Sequence, residues 1–187
     1  MARRPTRTKS GAAALAAFWA LGLLAGARDG ARAQPAPSFS QRDVQVVARA
    51  LGFLQPMPSG DALVAVVFAS GDAASRRDAE RIAGLFGDGL RAGSATLHAR
   101  AVAADALPSG GHAALIAAMG APGDVLMSVA RSQHIPCITA MIEQVESGRC
   151  TIWVRSDPRV EIVVSRAATQ ASGLGLAAAF RMMVREI

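Results

Sequence analysis

Residues 62–86, "ALVAVVFASGDAASRRDAERIAGLF", decide the fold. Ala62 to Ala69 is apolar at odd and even positions alike and rich in β-branched side chains, as expected of a strand covered on both faces. Ser70 and Asp72 then offer helix caps, and Ala79, Ile82, Ala83 and Phe86 recur on one helical face while Arg76, Arg77, Asp78 and Arg81 fall elsewhere. A doubly covered strand feeding an amphipathic helix is a β-α unit, the building block of a mainly parallel sheet.

Working outward, Arg42 to Leu54 places Val44, Val47, Ala48, Leu51 and Leu54 at helical spacing, a first helix ended by "QPMPSG". Thr96 to Ala103 alternates weakly, and the short apolar run Ala113 to Ala118 reads as a strand by its length. Val125, Leu126, Val129 and Ala130 predict a helix between Pro122-Gly123 and Ile135. Ile135 to Thr139, Thr151 to Val154 and Val160 to Val164 predict three short strands, the last two forming a hairpin about "RSDPR". Ser165 caps a short helix through Ala171, Gly173 stops it, and Ala177 to Arg185 predicts a terminal helix with Phe180, Met183 and Val184 on one side. The alternation gives an α/β domain: a single three-layer-like unit with a mainly parallel sheet, an antiparallel C-terminal hairpin and helices on the faces.

The first 33 residues read as an export signal. Arg3, Arg4, Arg7 and Lys9 form a positive start, Gly11 to Ala27 is almost uninterruptedly apolar, and Ala31-Arg32-Ala33 supplies a small-x-small cleavage pattern before Gln34. The expected organisation is a signal peptide over 1–33, a Pro-rich tether over 34–40 and the α/β domain over 41–187, located in the periplasm. Six of the 20 Lys and Arg and one of the 14 Asp and Glu precede Gln34, which leaves 14 basic against 13 acidic side chains in the exported part. The basic pI of the full chain therefore belongs mostly to the leader, and it gives no argument for a nucleic-acid partner.

No Gly-x-Ser-x-Gly elbow, Walker-type loop or Gly-x-Gly-x-x-Gly follows any predicted strand, so no catalytic residue and no cofactor is expected. "SGDAAS", residues 70–75, is the nearest approach to an anion-binding loop, with an ordinary helix cap as its simpler reading. His98, His112 and His134 sit on separate elements. The two cysteines, Cys137 and Cys150, have twelve residues between them. Zinc motifs bring cysteines closer than this, and a reactive redox pair favours C-x-x-C. In an oxidising compartment two cysteines and only two usually pair, closing a loop that stabilises by about 3 kcal/mol in the chain-entropy model. A buried reduced thiol inside the apolar strand at Cys137 is the competing reading. The final "FRMMVREI" spaces Phe180, Met183, Val184 and Ile187 for the core or for a partner groove, and Arg155, Arg159 and Arg166 read as solvated surface.

The stretch "GRCTIWVRSDPRVEIVVSRAATQASGLGLAAAFRMMVREI", residues 148–187, resembles the C-terminal part of the YfiR-like periplasmic family. The shared outline is a Gly before an apolar strand (Gly148 to Val154), a turn into a second strand (Arg159 to Val164), an Ala-rich helix, then Gly173-Leu174 leading to a terminal apolar helix. Upstream, the opening helix ending near Leu54 and Pro56, the strand at Leu63 to Phe68 and the strand before Cys137 extend the similarity. The resemblance implies a non-enzymatic periplasmic regulator. It would bind the outer part of an inner-membrane diguanylate cyclase and restrain cyclic-di-GMP synthesis, with disulfide state affecting competence and a homodimer left open. Residues 62–86 also look like the first β-α unit of a solute-binding protein, which makes a one-lobe small-molecule receptor the alternative.

Overall fold

In the computed structural model, residues 38–56 and 58–187 are described, so the expected leader and the first part of the expected tether lie outside the described residues. The chain runs α1 (Gln41–Leu51), β1 (Leu54–Gln55), β2 (Gly60–Phe68), α2 (Ala73–Gly84), β3 (Leu90–Ala92), β4 (Ala95–Ala103), β5 (Ala114–Ala117) and α3 (Gly123–Gln133). It continues through β6 (Cys137–Thr139), α4 (Ile142–Glu146), β7 (Ile152–Arg155), β8 (Glu161–Val164), α5 (Arg166–Ala171), β9 (Gly175–Leu176), α6 (Ala178–Arg181) and β10 (Arg185–Glu186).

Eight strands form one sheet in the order β10-β8-β7-β6-β5-β2-β4-β3. β2, β4, β5, β6 and β7 are mutually parallel, β7 and β8 form the expected antiparallel hairpin, and β3 closes the other edge antiparallel to β4. Counted along the chain, the five parallel strands lie in the order second, first, third, fourth, fifth, one of the two common doubly wound arrangements. The first strand is therefore central, as its composition requires. Val64 and Val66 enter one apolar cluster with α1 and α2, and Ala65 and Val67 enter a second with α3, α4 and Cys137, all four of these residues being fully buried.

The connection from β4 to β5 carries only a single 3-10 turn, Ala104–Ala106, where a doubly wound sheet usually places a helix. The alternate side chains Thr96, His98 and Arg100 of β4 accordingly remain partly or fully exposed.

Several boundaries move for physical reasons. α1 stops at Leu51 rather than Leu54, because Leu54 leaves the helix to pair with Leu176 of β9 in a separate two-stranded ribbon. The last residues of the expected tether are docked: Phe39 is buried, Ser38 donates to Asp78 (2.6 Å), and Arg81 donates to the Phe39 carbonyl (2.8 Å). The terminal helix expected over Ala177 to Arg185 lasts only from Ala178 to Arg181, after which the chain turns and adds β10 parallel to β8. Pairing satisfies the final backbone groups, since Ile187 N–H donates to Val164 and its carbonyl accepts from Arg166, both at 2.9 Å. Of the expected apolar face, Phe180 is buried and stacks on Phe53 with ring centroids 5.5 Å apart, and Val184 packs partly buried against the same cluster.

Candidate functional site

Cys137 opens β6 and Cys150 immediately precedes Thr151 at the entrance to β7, so the two cysteines stand side by side at the same end of neighbouring parallel strands. They form a disulfide with a Cα–Cα distance of 4.9 Å, and both residues are fully buried. The bond closes a loop containing β6, α4 and the turn at Gly148, whose φ of +70° favours glycine. Within that loop the Gln144 carbonyl accepts from the amides of Arg149 (2.7 Å) and Cys150 (3.0 Å), which fixes the approach of the second cysteine.

Thr151 completes the clasp, and spacing in the sequence gave no sign of it. Its hydroxyl accepts from the Cys137 amide at 2.8 Å and donates to the Cys137 carbonyl at 2.7 Å, while its own amide donates to that carbonyl at 2.9 Å. At the far end of the same strand pair the Trp153 indole donates to the Ala140 carbonyl at 2.9 Å, and the Arg155 guanidinium lies 5.1 Å from the Trp153 ring. β6 and β7 are thus joined covalently at one end and by an indole hydrogen bond at the other.

The histidines remain apart. His98 on β4 lies 3.7 Å from Asp61, His134 caps α3 in the left-handed conformation beside the Ser172 carbonyl, and His112 is buried before β5. Burial, with the Arg100 charge adding to it, holds the His112 pKa below its usual value, and neither ring nitrogen has a hydrogen-bond partner. Among the described residues, no three His, Cys, Asp or Glu side chains are grouped to hold a metal ion.

The "SGDAAS" loop does follow β2 at the point where the strand order reverses, the position at which doubly wound sheets bind ligands. Its helix-terminal amides are already engaged: the Asp72 carboxylate accepts from Ala74 (2.8 Å) and Ser75 (3.1 Å), which puts a negative charge where an anion would sit. Beside it Asp78 accepts from Ser38, Arg81 and the Met119 amide (2.9 Å), locking the loop after β5 to α2. Burial raises the Asp78 pKa, but these donors outweigh it and hold the carboxyl below its ordinary value.

The C-terminal edge of the sheet gathers what the sequence left scattered. Glu161 on β8 binds both Arg155 (2.9 Å) and Arg159 (2.6 Å), and those hydrogen bonds, Arg159 first, lower its pKa. Glu186 on β10 lies 3.3 Å from Arg166 and 4.0 Å from Arg181. Val160, Met182, Met183 and Ile187 are four of the six large apolar side chains left exposed among the described residues, Met182 at 90% and Met183 at 60%. Of the two roles open to Met183, core or partner groove, the core is therefore not the one it fills.

No protein-family model matches this chain, and no curated protein matches it. Among the described residues no helix is long and apolar enough to cross a membrane.

Proposed function

We propose that this chain is an exported regulatory binding protein of the YfiR-like type, which engages the periplasmic part of an inner-membrane diguanylate cyclase and restrains cyclic-di-GMP synthesis. The observation that carries the reading is the buried Cys137–Cys150 clasp, set beside the β7-β8 hairpin in the stretch that bears the family resemblance. A disulfide is what a protein working in an oxidising compartment retains. Its position also gives it a role in binding: it anchors the strand pair from which the exposed hairpin edge projects. Loss of the bond leaves β7 held to β6 only by the ladder, Thr151 and the Trp153 indole, and loosens that edge, which is how disulfide state would alter competence.

The test is co-purification with a membrane cyclase encoded beside the gene, using the oxidised protein and Cys150→Ser in parallel. The reading expects retention of the oxidised protein and weaker retention of the variant. Failure of the oxidised protein to co-purify with such a cyclase would sink it.

A further inference from the structure

The edge strand β10 covers only part of β8. It pairs with Val163 and Val164 and leaves Glu161 and Ile162 without a strand partner on the outer side. A groove of about 590 Å³ runs along this uncovered stretch, lined by Arg159, Val160, Glu161, Ile162, Met183 and Arg185 among others. An unpaired strand edge presents backbone donors and acceptors ready to pair with another chain, and soluble proteins normally blunt or cover such edges. Here the edge is instead flanked by the exposed apolar side chains of Val160 (48%) and Met183 (60%), the combination that marks an interaction surface.

Charge selects the occupant. Arg159 and Arg185 line the groove and Arg155 reaches Glu161 beside it, three arginines against the one carboxylate of Glu161, whereas Arg166, Arg181 and Glu186 line a separate groove. Glu161 is shared between Arg155 and Arg159, so it does not neutralise both, and Arg185 adds a further positive charge to the groove. We propose that the β8 edge groove binds an extended, acidic segment of a partner protein by strand addition, its backbone pairing beside Glu161 and Ile162. Its carboxylates meet Arg159 and Arg185, and an aliphatic side chain sits between Val160 and Met183. A second copy of this chain would bring the same arginine excess to the contact and repel. A membrane surface would be met by a flat basic and apolar face, whereas here the charges are partly paired and line a groove.

The inference rests on the reading of this chain as a binding protein, and its test is separate from any cyclase. A short fluorescein-labelled peptide of alternating isoleucine and glutamate is titrated with the oxidised protein and followed by fluorescence anisotropy. Three comparisons accompany it: the same peptide with lysine for glutamate, the same peptide with every second residue proline, and vesicles of phosphatidylglycerol. Binding of the acidic peptide alone is expected, weakened by more than about tenfold in Arg159→Glu/Arg185→Glu and in Met183→Asp with circular dichroism unchanged. Both substitutions are at exposed positions, so folding is not at stake. Equal binding of the lysine or proline peptide, or unchanged binding by the variants, overturns the proposal. So does vesicle binding without peptide binding, or a dimer in sedimentation that Met183→Asp dissolves. Peptide failure with successful cyclase co-purification removes this groove and leaves the regulatory reading standing; the reverse leaves the groove and removes the cyclase.

Discussion

At the scale of single residues the disulfide is the feature with the largest expected effect. Cys150→Ser is expected to lower stability in urea by about 2–4 kcal/mol, the usual range for a bond whose absence frees the unfolded chain. The bond leaves no thiol, so titration in denaturant without reductant should find none, and because both cysteines are fully buried a mild reductant should act only once denaturant opens the fold. Two thiols in the unreduced, unfolded chain would refute the clasp. A second residue-scale expectation concerns Gly173, whose φ is +64° and where an added Cβ would lie 2.8 Å from the His134 Nδ1. Gly173→Ala should cost about 1–2 kcal/mol, because it meets backbone strain and an imidazole already committed to the Ser172 carbonyl. A melting temperature equal to that of the parent would show that the turn after α5 relaxes freely. The cysteine pair was legible in the sequence because only two cysteines exist. Thr151 was not, since a hydroxyl serving both backbone groups of Cys137 is recognisable only after β6 and β7 are placed side by side.

At the scale of elements, α2 depends on Asp72 for its first turn, and Asp72→Ala should destabilise by about 1 kcal/mol in denaturant melts. Asp72→Asn keeps the acceptor and should recover most of that loss; equal damage by both would mean that the carboxylate does something other than cap. This cap, the helix of β-α type and the doubly buried β2 were all legible because their periodicity and end signals agree. The C-terminus was not. Phe180, Met183, Val184 and Ile187 satisfy helical spacing, yet Met182 and Met183 face solvent and the chain turns into β10. Helical spacing records which residues could share a face, but the final residues respond to a stronger demand, the unpaired groups of the β8 edge. The same limit hid the β1-β9 ribbon and β3, which are two or three residues long and too short to carry a period. The arginines of the edge were visible one by one, and only the turn into β10 brings Arg185 beside Arg159.

At the scale of the whole molecule, the buried Asp43 and His112 and the partly buried Asp78 shape how stability follows pH, the two carboxyls in one window and the imidazole in another. For Asp43, burial raises the pKa, but the Ser40 groups of the capping box together with Ser156 outweigh it, and Asp78 behaves alike through Ser38, Met119 and Arg81. Both carboxyls lie lower folded than unfolded, so their contribution is complete above the unfolded value of 3.8 and is lost as pH falls through the lower folded values. His112 moves the other way in charge: its depressed pKa means that the unfolded chain binds the proton first, so stability is complete above the unfolded value of 6.5 and declines as pH falls below it. The expected profile is therefore flat near neutrality, with one decline beginning near 6.5 and a steeper one below 3.8. The first cannot exceed about 1.4 kcal/mol per pH unit, the slope set by a single proton. Urea titrations from about pH 8 down to about pH 2 on the parent and on His112→Gln separate the two, since the variant should lose the upper decline and keep the acid one. If the variant keeps the upper decline, the imidazole buried before β5 is not its source, and His112 is tolerated charged in the folded chain.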